Sequence, residues 1–271
     1  MPQKRQRKSK GCFVNICYGL TPQLFKKGHP DEDEDFALAA LAALGSGNAL
    51  AQKAGDWQVG AGWLHFMPQD SSKPLTFTAP SYAVIPGSGA SVGTSDTFGL
   101  NLTYFVDSHW AVEGVLGVPP TFKLTGEGTL GPIGELGDAK QWSPTVLAKY
   151  YFNDGEAKFR PYVGLGATYV WYSDVNLTPG LQGALANRIG LPASALSTTT
   201  AKLDSSFAPV FNVGVAYQFD PHWGMAFSVS YIPLKTTAKL TTTARGIPVA
   251  ASESRLTLNP IVPYLAVTYK F

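Results

Sequence analysis

Residues 207–219 read FAPVFNVGVAYQF. Phe207, Pro209, Phe211, Val213, Val215, Tyr217 and Phe219 recur at every second position, with Ala208, Asn212, Gly214, Ala216 and Gln218 between them. Successive side chains of a strand point to opposite faces, so this segment is a β-strand with one bulky face and one small or polar face. The same alternation returns at 57–66, 96–106, 110–118, 144–152, 159–171, 223–231 and 255–271, which makes eight strands of about 9–17 residues. A tilted crossing of an outer membrane takes roughly 9–11 residues, whereas a soluble sandwich strand usually has about five or six. The lengths favour a membrane barrel.

Three connections are tight and polar, at 107–109, 153–156 and 220–222, and four are long, at 67–93, 119–142, 173–206 and about 236–254. Short turns at one rim and long loops at the other are the pattern of an outer-membrane barrel, with the turns periplasmic. Within the third loop, residues 181–189 (LQGALANRI) have the composition of a short helix.

The faces fix which side meets lipid. The small face carries mainly Gly, Ala, Thr and Ser, too little charge for the water-exposed wall of eight long strands. The bulky face gathers aromatics at strand ends, among them Trp57, Trp63, Tyr104, Trp110, Tyr150, Tyr169, Trp171, Trp223 and Tyr231. Rings collect there when they sit between hydrocarbon and headgroup. The last strand ends in Phe271, with Tyr269, Val267 and Leu265 on its face. The expected fold is therefore all-β: an eight-stranded antiparallel transmembrane β-barrel.

Composition agrees. Of 271 residues, 45% are hydrophobic and 15% charged, which excludes a disordered chain. The first 51 residues hold seven Lys/Arg and five Asp/Glu of totals of 21 and 19, leaving 14 of each beyond them. A neutral body gives no electrostatic case for nucleic acid. Both cysteines, Cys12 and Cys17, lie in that leader. Residues 36–44 (FALAALAAL) followed by Ala49-Leu50-Ala51 resemble the second half of a secretory signal, with cleavage expected after Ala51 and the barrel at 52–271. The acidic run 31–35 directly before it is atypical, as a misassigned start would produce.

In order and spacing, residues 99–104 (GLNLTY), 144–152 (PTVLAKYYF), 158–166 (KFRPYVGLG), 258–260 (LNP) and 269–271 (YKF) resemble the outer membrane protein W (OmpW) family. The resemblance covers residues 55–271. It implies an eight-stranded barrel with a narrow, partly hydrophobic lumen and a lateral opening in its wall. It further implies passage of small apolar or amphipathic molecules across the cell outer membrane of a Gram-negative bacterium.

Eight strands enclose little more than side chains or one small ligand, so a wide aqueous pore is excluded. Parity turns Gln58, Asn101, Thr103, Glu113, Thr145, Leu147, Lys149, Arg160, Asn212 and Gln218 inward. Of these Asn101, Glu113, Leu147, Lys149, Arg160 and Asn212 are the expected lumen lining. Glu113, Lys149 and Arg160 must find partners in so confined a space, as a constriction or a structural plug. Leu75, Phe77, Tyr82, Val84 and Ile85 are expected to form an apolar vestibule at the outer rim, the competing reading being loop tips packed on themselves or on lipopolysaccharide.

No enzyme is expected. His109 and His222 sit in inner turns, and His65 near Asp70 and Ser71 makes a weak site. No His/Cys cluster calls for a metal, and no cofactor is implied. The expected partners are outer-membrane lipid and lipopolysaccharide, the barrel assembly machinery through Phe271, and a small apolar ligand, with the protein a monomer. The competing functional reading is a non-transporting structural or adhesion/receptor barrel that works through its extracellular loops.

Overall fold

A computed structural model describes residues 52–192 and 196–271. The expected leader, with its expected cleavage after Ala51, and both cysteines lie outside the described residues. Eight strands form the barrel: β1 (Trp57–Phe66), β2 (Ser95–Phe105), β3 (Trp110–Gly117), β4 (Thr145–Tyr151), β5 (Phe159–Leu177), β6 (Ser206–Gln218), β7 (Trp223–Tyr231) and β8 (Ile261–Lys270). Each pairs antiparallel with its chain neighbours, and β8 pairs with β1 from Gln58↔Lys270 to Leu64↔Tyr264, so the sheet closes with no edge. Closure is what a β-structure in hydrocarbon requires, because no water is there to satisfy an open edge.

The burial pattern is inside out. Phe98, Leu100, Leu102, Val146, Leu165, Phe211, Val213 and Val267 are exposed on the outer wall, while Asn101, Thr103, Glu113, Lys149, Arg160 and Asn212 are buried within. Only an apolar surrounding makes that arrangement stable. Aromatic contacts ring the inner rim, among them Trp57–Tyr104 at 4.8 Å, Trp110–Tyr150 at 5.1 Å and Trp223–Tyr269 at 5.0 Å between centroids. At the outer rim Tyr169 lies 4.6 Å from Phe207, and Trp142 stacks on Trp171 at 5.8 Å.

The long loops differ from the sequence expectation: most of their length is strand. The upper part of β5 continues past the barrel and pairs with Glu135–Trp142, which pairs with Thr121–Gly128, which pairs with Ser88–Val92. A second outer sheet joins Ser197–Leu203, Lys235–Ala244, Ile247–Thr257 and Thr76–Ala79. The threonine-rich strands lack the apolar contrast that marks the barrel strands, yet β-branched threonines pair well across a sheet, as Thr199 and Thr242 do through their hydroxyls at 2.9 Å. A helix α1 (Pro179–Arg188) stands in the third loop, capped by Thr178 and burying Leu181 and Leu185. The expected final strand 255–271 is interrupted at 258–260, where Asn259 takes a left-handed φ of 35° and Pro260 has no N–H to donate.

Two inner turns are built alike, Asp107-Ser108-His109-Trp110 and Asp220-Pro221-His222-Trp223. Asp107 Oδ1 accepts the backbone N–H of His109 and of Trp110, both at 2.7 Å. Asp220 Oδ1 accepts those of His222 at 2.8 Å and Trp223 at 2.7 Å. The His109 ring then stacks on Tyr150 and the His222 ring on Tyr269. The N–H of Trp110 and then of His109 hold the Asp107 carboxyl below the ordinary carboxylate range, and Trp223 and His222 do the same for Asp220. A carboxyl lowered in the folded state contributes stability above its unfolded value of about 3.9 and loses it as pH falls through the folded value. The thermal midpoint of the barrel in detergent should therefore drop below about pH 4, and D107N/D220N should show a shallower drop over that range. Parallel drops in the two chains would place the acid sensitivity elsewhere.

Candidate functional site

The barrel interior is layered. Above the inner rim, Lys149 Nζ meets Glu113 Oε1 at 2.6 Å, and each side chain is about 5% exposed or less. The other carboxylate oxygen accepts from Thr103 Oγ1 at 2.8 Å and Asn101 Nδ2 at 3.0 Å. Tyr264 donates its hydroxyl to Asn101 Oδ1 at 2.9 Å, and the Lys149 ammonium lies 4.4 Å from the Tyr162 ring centre. Asn212 closes the layer by donating to Ser230 Oγ at 2.9 Å. Register explains the meeting: Leu147↔Glu113 and Lys149↔Ala111 place the two charged residues on one inward face of neighbouring strands.

Arg160 does not join that pair, contrary to the expectation that the three charges form one set. It lies nearer the inner rim, donating to the carbonyls of Ser108 and Asn153, with its guanidinium 4.5 Å from the Tyr151 ring centre. Two backbone carbonyls and an aromatic face, rather than a carboxylate, are its partners. Its guanidinium also lies 6.0 Å from the Phe105 ring centre, and Gln52, whose N–H is bound to the Gly155 carbonyl at 2.9 Å, borders the same small pocket as Arg160. Glu113, Lys149 and Arg160 thus form a floor of two tiers.

Above the floor the lining turns apolar. A cavity is walled by Leu64, Phe66, Leu147, Val210, Ile232 and Val262, with Thr97, Gln141 and Ser228 among them and Glu113 and Asn212 at its base. It shares Phe66 and Gln141 with a second cavity higher up. That one shares Leu124, Ala139, Leu203 and Leu256 with an outer cavity. The result is an apolar column between the two outer sheets, roofed on one side by Leu181 of α1.

The lowest cavity reaches the barrel's outer wall. The β3–β4 seam is short, with six pairs from Tyr150↔Trp110 to Thr145↔Val115, against twelve between β5 and β6. Beyond Thr145 the strands part. Val118 donates its N–H to Phe98 of β2, while Pro144 accepts from Tyr169 of β5. They rejoin where Gln141 donates to the Pro120 carbonyl at 3.0 Å. Between lies a window bordered by Leu116, Gly117, Val118, Ser143 and Thr145, all of which line the cavity. Pro119, Pro120 and Pro144 stand at its edges with no N–H to leave unsatisfied.

The residues expected at the outer rim separate. Leu75 lines the outer cavity, and Phe77 and Ile85 belong to the same apolar cluster. Tyr82, 76% exposed, and Val84 instead face away from it, because the two-residue strand Ala83–Val84 pairs with Thr76 and Phe77 as a sheet edge. Sequence reading missed Tyr162 and Tyr264; their even parity within strands whose odd positions are bulky was the available signal. His65 bonds Asp96 at 2.7 Å beside Trp63, not Asp70. Among the described residues no cluster of three His, Cys, Asp or Glu could hold a metal ion.

Residues 53–271 match the model of the OmpW family. The chain is 32% identical over 235 residues to Outer membrane protein W of Vibrio cholerae serotype O1, covering 86% of this chain and 97% of that protein. It is 27% identical to Outer membrane protein AlkL of Ectopseudomonas oleovorans, over 88% of this chain and 93% of the relative. The crystal structure of the outer membrane protein OprG from Pseudomonas aeruginosa superposes with a TM-score of 0.70 at 27% identity, covering 83% of this chain and 99% of that one.

Removing one partner of a buried ion pair strands the other charge, at a cost of about 3–5 kcal/mol. Lys149→Met should lower unfolding stability in lipid vesicles by that order, and adding Glu113→Gln should restore more than half of it. A loss in the single variant below about 1 kcal/mol would mean that the pair is hydrated.

Proposed function

The chain belongs to the OmpW family and resides in the Gram-negative outer membrane, and from that premise we propose that it admits small, largely apolar molecules at the cell surface and releases them sideways into the bilayer. The observation that carries this reading is a charged floor directly beneath an apolar column that has a window in its wall. A greasy solute that continued downward would have to separate Glu113 from Lys149 or desolvate against Arg160, at several kcal/mol. Through the window it exchanges one apolar surrounding for another at little cost. In this reading Leu75 helps form the apolar vestibule, Leu147 lines the route, and Asn101, Glu113, Lys149, Arg160 and Asn212 form the closure beneath it.

The competing reading is a structural or adhesion/receptor barrel acting through its outer sheets, which predicts no flux. Vesicles carrying the purified protein should take up an apolar fluorescent naphthylamine faster than empty ones. Thr145→Trp at the window and Leu256→Glu in the column should each slow uptake about tenfold, the factor that about 1.4 kcal/mol of added barrier gives. Tyr82→Glu and Lys149→Met should leave the rate unchanged in protein that remains folded. Equal rates with and without the protein would favour the competing reading.

A further inference from the structure

The two outer sheets differ in charge. On the sheet that continues β5, lysines are matched: Lys123 meets Glu135 at 3.2 Å and Lys140 meets Asp174 at 2.9 Å. On the other sheet Lys239 meets Asp204 at 2.7 Å, with Lys202 and Glu253 opposite Lys239 in the neighbouring strands. Nearer the barrel, Lys73, Lys235 and Arg255 form no ion pair with any described residue. All three are exposed; the buried Leu234 and Thr236 flank Lys235 and the buried Leu256 follows Arg255, which turns those two outward, and Lys73 lies across the strands from Arg255.

They are also close together. Lys73 donates its backbone N–H to Arg255, which fixes those two as cross-strand neighbours. Lys235 is opposite Thr257 and Arg255 opposite Thr237, so Lys235 lies diagonal to Arg255. Such positions are about 5–8 Å apart at Cβ, where like charges repel unless an anion lies between them. Their height is set by the strand. Lys235 opens the outer strand that begins four residues after Tyr231, an exposed aromatic of the outer rim. Side chains several ångströms long at that level reach the headgroup layer of the outer leaflet.

We propose that Lys73, Lys235 and Arg255 form a docking face for the phosphate groups of the lipopolysaccharide around the barrel. Flexible, strongly hydrated lysine ammoniums flank a guanidinium whose planar fork grips phosphate in two places. The three replace divalent cations between neighbouring phosphates, and the balanced sheet on the other side offers no such site. Lys235 and Arg255 stand apart from the transport route, whereas Lys73 also borders the outer cavity.

The test uses the whole protein immobilised in detergent and lipopolysaccharide from the expression host, native or enzymatically dephosphorylated. The wild type should retain native lipopolysaccharide, and K73Q/K235Q/R255Q should bind it about a hundredfold more weakly, as three lost charges near an anionic surface imply. K123Q/K140Q on the opposite sheet should bind as the wild type does. Added magnesium should weaken the wild type and leave the triple variant unaffected. Heat-dependent gel mobility shows whether the triple variant is folded, and K235Q alone, exposed and without an ion pair, should give a smaller loss should that variant fail. Retention of dephosphorylated lipopolysaccharide as strong as native, or wild-type affinity in a folded triple variant, overturns the proposal.

Discussion

In hydrocarbon every peptide N–H must find an acceptor within the protein, and the architecture of this barrel follows from that demand. Each of the eight strands hands its backbone to both neighbours, and β8 returns to β1 to complete the circuit. A gap in such a wall is tolerable only where donors are missing or turned elsewhere. Both conditions hold at the window. Prolines stand at 119, 120 and 144, while Val118 and Tyr169 commit their N–H groups to bonds outside the β3–β4 seam.

The same accounting of polar groups divides the lumen. Glu113 is satisfied by three donors and Lys149 by a carboxylate and a ring, while Arg160 has two carbonyls and a ring but leaves Nη1 buried without an acceptor. The cavities above are lined mainly by leucine, valine, isoleucine and phenylalanine, with Gln141, Ser228, Ser230, Tyr172 and Thr236 scattered among them. A barrel of this size cannot be both packed and open along its whole axis. Here the packing is polar at the inner half and loosely apolar at the outer half.

Much of this was legible in the amino-acid order. Period-two alternation located all eight membrane strands to within about two residues at most ends, and parity alone turned Asn101, Glu113, Leu147, Lys149, Arg160 and Asn212 inward. The outer sheets were not legible, because segments such as Lys235–Ala244 carry threonine on both faces and their partners are distant in the chain. Side-chain pairing was not legible either. Parity gives a direction but not a height, so it could not separate Arg160 from the Glu113–Lys149 pair. The exposure of Tyr82 was not legible for a related reason: it stands just ahead of a two-residue edge strand, which has too little pattern to reveal which side faces the core.

The jambs of the window belong to different neighbours. Residues 116–119 are held by β2 through Val118 and Phe98, whereas residues 142–144 are held by β5 through Trp171 and Tyr169. No backbone bond crosses between them from Thr145 to Gln141. Each side of the gap is thereby fastened to a different stretch of wall, and a shift of one edge against the other would break no rung of the β3–β4 ladder.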